Sequence, residues 1–229
     1  MITKMYDKIF EGNFISRPNR FIAEVEIGGK VEICHVKNTG RCKEILIPGV
    51  KVYVNQSDNP NRATKYDLIA AYKGERLINI DSQVVNKVFG EYLRSGRYID
   101  GIKHIKPEAK YGRSRFDFYV ETEERKIFIE VKGVTLEENN IAMFPDAPTE
   151  RGVKHLNELS ECLKDGYEAQ VIFIIQMRGI RYFTPNIKTH PAFGEALAAA
   201  EAAGVKVTAL DCVVTLDGLE IKDFVPIRL

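Results

Sequence analysis

No apolar run in this chain approaches the roughly 20 residues that a membrane span needs. The longest near the C-terminal end, residues 196–207, is broken by Glu201, Gly204 and Lys206. Residues 1–20 mix polar and apolar side chains and lack the apolar centre of a signal peptide, so a cytoplasmic protein is expected, with no membrane partner. Cysteine is scarce: Cys34, Cys42, Cys162 and Cys212 include no CxxC pair. That spacing argues against paired zinc ligands and a dense disulfide framework, and for reduced structural thiols. Charge of either sign is not in excess, since 33 Lys+Arg stand against 32 Asp+Glu. The balance excludes a protein that coats nucleic acid by bulk electrostatics but leaves room for a local basic groove. A Gly-rich phosphate loop and a nucleophile-elbow serine are both missing, which removes support for nucleoside-triphosphatase and serine-hydrolase readings.

What is present is ordinary globular composition, with 45% hydrophobic and 28% charged residues among 229. The length suits one large domain or two small ones. Residues 1–80 read as short strands separated by turns. The segment 21–27 alternates apolar and polar, Gly28-Gly29 is a hairpin signal, and 31–36 answers as the partner strand. Ile45-Leu46-Ile47 before Pro48-Gly49, then 50–54, 66–72 and 77–80, complete five or six short strands. Such a set suggests a small closed barrel, because closure removes exposed edges.

From residue 81 the period changes. Residues 83–93 place Val84, Val85, Val88, Phe89, Tyr92 and Leu93 at helical spacing, with Asp81 or Ser82 available as cap. Strands are expected at 116–120 and 126–131, around an acidic turn. A helix is expected over 149–165, with Leu156, Leu159, Cys162 and Leu163 as its apolar stripe. The apolar run 171–177 reads as a strand buried on both faces. A helix at 193–203 ending at Gly204 precedes final strands at 205–210 and 212–216. Helices interleaved with buried strands indicate an α/β or α+β domain over 81–229.

The strongest chemical signal is Asp117 followed by Glu130-Val131-Lys132. Glu130 and Lys132 share one face of their strand, and a hairpin can set Asp117 beside Glu130. Neighbouring carboxylates repel unless a cation lies between them. A hard divalent ion, Mg²⁺ or Mn²⁺, takes such oxygen ligands, and the Val131 carbonyl is a further candidate. Lys132 can then orient water or stabilise charge on a phosphate. The pattern suits metal-assisted phosphodiester hydrolysis, although an Asp and an E-x-K on adjacent strands also occur on solvated sheet faces. Upstream, Lys103, His104, Lys106, Lys110, Arg113 and Arg115 form a basic run suited to a phosphate backbone.

Asp117 and Glu130-x-Lys132 resemble the core of the PD-(D/E)xK nucleases, without the Pro-Asp doublet, since Phe116 precedes the Asp. More specifically, the chain resembles the sugar fermentation stimulation protein family. The matching strings are Arg17-Pro18-Asn19-Arg20-Phe21, His35-Val36-Lys37-Asn38-Thr39-Gly40-Arg41, and Tyr111-Gly112-Arg113-Ser114-Arg115-Phe116-Asp117. Glu130-Val131-Lys132-Gly133-Val134-Thr135-Leu136 and the stretch from Phe144-Pro145-Asp146 to His155-Leu156 continue the match. Pro18 stands where members often carry Tyr. The resemblance implies an OB-fold-like barrel over 1–80 and a restriction-endonuclease-like domain, with a mixed central sheet flanked by helices, over 81–229. It also implies DNA binding, a nuclease site and a link to the regulation of sugar metabolism.

Beside that resemblance other residues gain meaning. Glu108, or Glu91 or Asn86, is a candidate for a further metal ligand. Arg151, Lys154, His155 and Glu158 fall at helical spacing and line one face that can address phosphate. Asp146 reads as loop structure. In the barrel Arg17, Arg20, Lys37 and Arg41 are candidates for phosphate contact, as are Arg113 and Arg115 in the second domain. Phe14 and Phe21 read as core more readily than as base-stacking platforms. The expected function is a DNA-binding protein with a divalent-metal-dependent phosphodiesterase site. The alternative is a non-catalytic DNA-binding regulator that keeps the nuclease fold. Strandedness of the DNA is left open, and a homo-oligomer is compatible with the sequence.

Overall fold

The computed structural model describes residues 2–229. A short strand, β1 (Thr3–Lys4), precedes six strands: β2 (Ile9–Asn19), β3 (Ile22–Ile27), β4 (Lys30–Val36), β5 (Lys51–Gln56), β6 (Tyr66–Lys73) and β7 (Arg76–Asn79). Their order is β4-β3-β2-β5-β6-β7, and a parallel pairing of Cys34–Val36 with Tyr66–Leu68 joins β4 to β6. That pairing closes β2 to β6 into a five-stranded barrel. The alternation in β3 explains its seat: Ala23 and Val25 are fully buried, while Glu24 and Glu26 point away. Gly28 and Gly29 both take left-handed φ values, 57° and 77°, in the two-residue turn from β3 to β4.

The rest of the chain forms α1 (Val84–Arg94), β8 (His104–Tyr111), β9 (Ser114–Glu121), β10 (Lys126–Val134), β11 (Leu136–Glu138) and β12 (Ile141–Phe144). It continues with α2 (Glu150–Lys164), β13 (Glu168–Ile175), β14 (Tyr182–Pro185), α3 (Pro191–Ala203), β15 (Lys206–Val214) and β16 (Gly218–Phe224). A seven-stranded mixed sheet runs β1-β16-β15-β13-β10-β9-β8, with β10, β13 and β15 parallel. The α1 face packs Val85, Val88 and Phe89 with Ile127, Ile129 and Val131. The opposite face packs Leu156, Leu159 and Cys162 of α2, and Leu197 of α3, with Phe128, Val171 and Phe173. Covered on both sides, β13 is apolar along nearly its whole length. No helix among the described residues is long and apolar enough to cross a membrane. The four cysteines are free and buried.

Several elements differ from the sequence expectations. The longest barrel strand, β2, carries Glu11, Asn13, Ser16 and Arg17 and has little apolar alternation to announce it. Ile45-Leu46-Ile47 lies outside the strands, in a turn where Leu46 N donates to the Cys42 carbonyl at 2.8 Å. The expected cap on α1 is displaced: Gln83 is the N-cap and makes no side-chain cap bond. Asp81 Oδ1 instead accepts from Gln83 N at 2.9 Å, just ahead of the helix. Thr149 does cap α2, accepting from Gly152 N. Residues 3–4 do not join the barrel but pair with β16.

A buried polar junction binds barrel and sheet. Gln176, fully buried, donates to Asn79 Oδ1 at 2.8 Å and to the Asp81 carbonyl at 2.9 Å. Lys73 of the barrel pairs with buried Glu137 at 2.8 Å. These bonds set the barrel against the C-terminal end of β10, where the expected site residues lie.

Candidate metal and nucleic-acid site

The antiparallel ladder between β9 and β10 runs from Glu121–Lys126 to Phe118–Ile129 and stops there. Beyond it the two strands part. Phe116 packs in the α2-side core and Phe118 in the α1-side core, although residues two apart on a regular strand share a face. The chain therefore turns over at Asp117, whose carboxylate points sideways into the gap. There Oδ2 accepts from Val131 N at 2.7 Å, and Oδ1 accepts from Asn86 Nδ2 of α1 at 2.7 Å. Opposite Asp117, Glu108 is missing from the β8–β9 register and has a left-handed φ of 52°. The N–H and C=O of a strand residue leave by the same edge, so the Val131 carbonyl faces this gap too.

Glu130 projects to the α2 side, 4% exposed. Its Oε1 meets His155 Nδ1 at 2.6 Å and also pairs with Lys132 Nζ. Its Oε2 is buried and has no hydrogen-bond partner. Burial and then repulsion from Glu130 push Asp117 up to about 6. Burial also acts to raise Glu130, but the His155 hydrogen bond and the Lys132 charge outweigh it and hold it below its ordinary range. The two neighbouring carboxylates thus differ, one readily ionised and one reluctant, and one buried Glu130 oxygen lacks a partner. A buried carboxylate oxygen without a donor is costly, and a cation would satisfy it. The two carboxylates and the Val131 carbonyl fit a hard divalent ion. Among the described residues no group of three His, Cys, Asp or Glu side chains is placed to hold a metal.

Asp117, Glu130, Val131 and Lys132 line a cleft of about 1030 Å³ between the barrel and the second domain. One wall is the barrel segment with Arg20, Thr39, Gly40, Arg41 and Lys43; the other is Phe144–Arg151. Asp146 Oδ2 crosses the base of the cleft to accept from Cys42 N at 2.6 Å. Gly40 suits this close approach, because a Cβ on it would stand 2.8 Å from Asp146 Oδ2 and force that side chain to shift.

The structure separates the expected basic residues into two groups. Arg20, Arg41 and Arg151 are exposed on the cleft, joined by Lys43. Arg17 also lines it, but its guanidinium is committed inward. It donates to the carbonyls of Asn38, Gly40, Arg41 and Arg20 at 2.7–2.8 Å and so braces the loop that carries Arg41. Lys37 is drawn to Asp67 at 2.8 Å and Asp81 at 3.6 Å, away from the cleft. Arg113 and Arg115 lie on the exposed β8–β9 hairpin, and Lys154 points to Glu158 at 3.8 Å. His155 is 4% exposed, buried against Glu130 and not among the residues lining the cleft. Glu108 is exposed, 3.8 Å from Arg115, and with Glu91 lines a smaller cleft that meets Asp117 from the other side. Phe14 is core, whereas Phe21 is 53% exposed.

Comparison with known proteins identifies the family. The family model described as the sugar fermentation stimulation protein RE domain matches residues 83–218, and the SfsA N-terminal OB domain matches residues 15–80. The chain belongs to the sugar fermentation stimulation protein family. A family homolog from Desulfitobacterium hafniense is 64% identical over 98% of both chains. Another, from Clostridium beijerinckii, is 58% identical over 98% of this chain and 99% of its own. The solved structure of Pyrococcus furiosus SfsA in complex with Ca²⁺ has a TM-score of 0.91 at 30% identity, covering 99% of this chain and 98% of that one. The family's mixed α/β architecture, an OB-like barrel beside a helix-flanked sheet, is the one described above. The residues missing from the sequence reading are Arg17 as a brace, Asn86 as the donor to Asp117, and the Asp146–Cys42 crossing. Only the last joins residues more than 100 apart.

Proposed function

We propose that this protein binds DNA in the cleft between barrel and sheet and hydrolyses its phosphodiester backbone with a divalent ion, Mg²⁺ or Mn²⁺. The observation that carries this reading is a pair of mutually repelling carboxylates lining the cleft, Asp117 and Glu130, with Oε2 of Glu130 buried and partnerless. The Ca²⁺ complex of the Pyrococcus furiosus relative supports a divalent ion in this family. Asp117, Glu130 and the Val131 carbonyl would hold the ion. An ion held there would supply Lewis-acid polarisation of a phosphate and a lowered pKa for a coordinated water. Arg20, Arg41 and Arg151 grip the flanking phosphates, and Lys132, next to the acids, stabilises negative charge as it develops on the phosphoryl oxygens. The domain division in this reading follows the cleft: the barrel supplies grip and the second domain supplies chemistry.

The test is cleavage of single-stranded, duplex and branched DNA with Mg²⁺ or Mn²⁺, comparing the wild type with Lys132→Ala. Cleavage lost in Lys132→Ala while DNA binding is kept is the expected result; no cleavage by the wild type, or equal cleavage by the variant, overturns it. One observation favours a second reading. Among the described residues no third acidic, His or Cys side chain is placed with the two carboxylates to hold a metal. A weakly held ion suits a DNA-binding regulator of sugar metabolism that binds without turnover, and that protein would show salt-sensitive binding and no product.

A further inference from the structure

Glu130 holds two donors on one oxygen and none on the other. Rotation about the last side-chain bond would exchange the two oxygens, and a carboxylate's torsion there is soft. Something must fix which oxygen takes the donors and which is left without one. Lys132 is a poor fixture, because its ammonium rides on a four-carbon stem and keeps 17% of its side-chain surface exposed. His155 is stiffer. It sits within α2, is 4% exposed, and lies edge-on to Phe116 with ring centroids 5.9 Å apart. Its two nitrogens are both engaged. Arg151 Nε donates to Nε2 at 3.3 Å, so that nitrogen carries the lone pair and the proton resides on Nδ1. Nδ1 then donates to Glu130 Oε1 at 2.6 Å.

We propose that His155 is a positioning residue for the divalent-ion site, holding Glu130 by Oε1 so that Oε2 is presented to the ion, with Arg151 fixing the histidine tautomer. The proposal rests on the metal-site reading above and deepens it. It gives Lys132 freedom: the lysine can leave Glu130 for a phosphate while His155 keeps the carboxylate in place. It also gives Arg151 two tasks at once, since Nε serves His155 and the terminal nitrogens remain for the cleft.

The experiment is Mn²⁺ binding to the full chain by calorimetry, without DNA, for the wild type, His155→Leu, His155→Asn and His155→Gln. An Asn amide nitrogen approximates Nδ1, and a Gln amide nitrogen approximates Nε2. Loss of a hydrogen bond to a metal ligand weakens affinity about 10- to 100-fold. His155→Leu and His155→Gln are expected to show that loss, and His155→Asn to keep most of the wild-type affinity. A role limited to packing would not separate Asn from Gln. If His155→Leu does not fold, the Asn and Gln pair decides alone. No Mn²⁺ binding by the wild type overturns the metal site and the proposal together. Wild-type binding with unchanged affinity in His155→Leu, or equal losses in Asn and Gln, overturns the proposal and leaves the metal site standing.

Discussion

Replacing Asp117 by Asn should stabilise the ion-free protein at alkaline pH, although it removes a residue central to the proposed chemistry. The Asp117 carboxyl stands at about 6 in the folded protein against 3.8 as its ordinary value, because burial and the nearby Glu130 charge disfavour ionisation. The unfolded chain therefore releases this proton at lower pH than the folded one. Between the two values the folded state binds more protons, so stability falls as pH rises through that window. Above it the penalty is full, about 3 kcal/mol for a shift of about two units. An uncharged amide escapes it. The substitution does disturb two hydrogen bonds, from Asn86 Nδ2 and Val131 N, both 2.7 Å. The introduced amide oxygen can keep the Val131 bond, and Asn86 can turn its own amide to accept, so about 1 kcal/mol is lost. The net gain is about 2 kcal/mol at pH 8, or about 4–8 °C in Tm for a chain of this size. At pH 5 the ionisation penalty falls to roughly half. Adding Mn²⁺ should reverse the ranking, because an ion at 100 times its Kd stabilises the wild type by about 2.7 kcal/mol. Thermal unfolding in chelator at pH 8 and pH 5, then with Mn²⁺, measures all three. A variant less stable than wild type in chelator at pH 8, or a gain independent of pH, would refute the electrostatic account.

Four further variants separate residues that sequence alone treats alike. Arg17→Ala removes four backbone contacts and should lower stability by about 2–4 kcal/mol in denaturant titration, whereas Arg41→Ala should leave stability unchanged. Arg41→Ala should instead weaken DNA binding and reduce the salt slope by about 1, measured by fluorescence anisotropy over a salt series. Lys154→Ala, off the cleft, should change neither affinity nor slope; a loss matching Arg41→Ala would move the DNA path onto α2. Asp146→Ala frees the Cys42 N–H and should cost about 1 kcal/mol of stability, with a further loss of DNA affinity as the loop carrying Arg41 loosens.

The fold was legible where pattern and environment agree. The hairpin at Gly28-Gly29, the apolar run that became β13, and the cap at Thr149 all follow from local chemistry. β2 and β16 were not legible, because β2 is half solvated and β16 is defined by pairing with β15 and β1. The E-x-K spacing did predict that Glu130 and Lys132 share a face. It did not predict the strand turning over at Asp117, which depends on Phe116 and Phe118 choosing opposite cores. Helical spacing grouped Arg151, Lys154 and His155 on one face, yet a step of one residue turns a helix by about 100°. That step separates exposed Lys154 from buried His155. The inward commitment of Arg17 and Lys37 was equally invisible, since a basic residue near a loop reads the same whether its partner is a phosphate or the loop itself.

The pairing of β1 with β16 has a mechanical consequence. Thr3 lies opposite Leu219, and the amides of Met5 and Tyr6 both donate to the Asp217 carbonyl, at 2.7 and 3.1 Å. The barrel is thus stitched to its neighbour on two sides: where the chain enters it and where the chain leaves it at residue 80. A body hung on one linker swings like a jaw, and one held at both ends is confined to rocking about the line between them. The gap above the acids is therefore expected to keep a width set when the last strand closes the sheet, and a nucleic-acid chain bound there as proposed would have to fit that width rather than be gripped by a closing jaw.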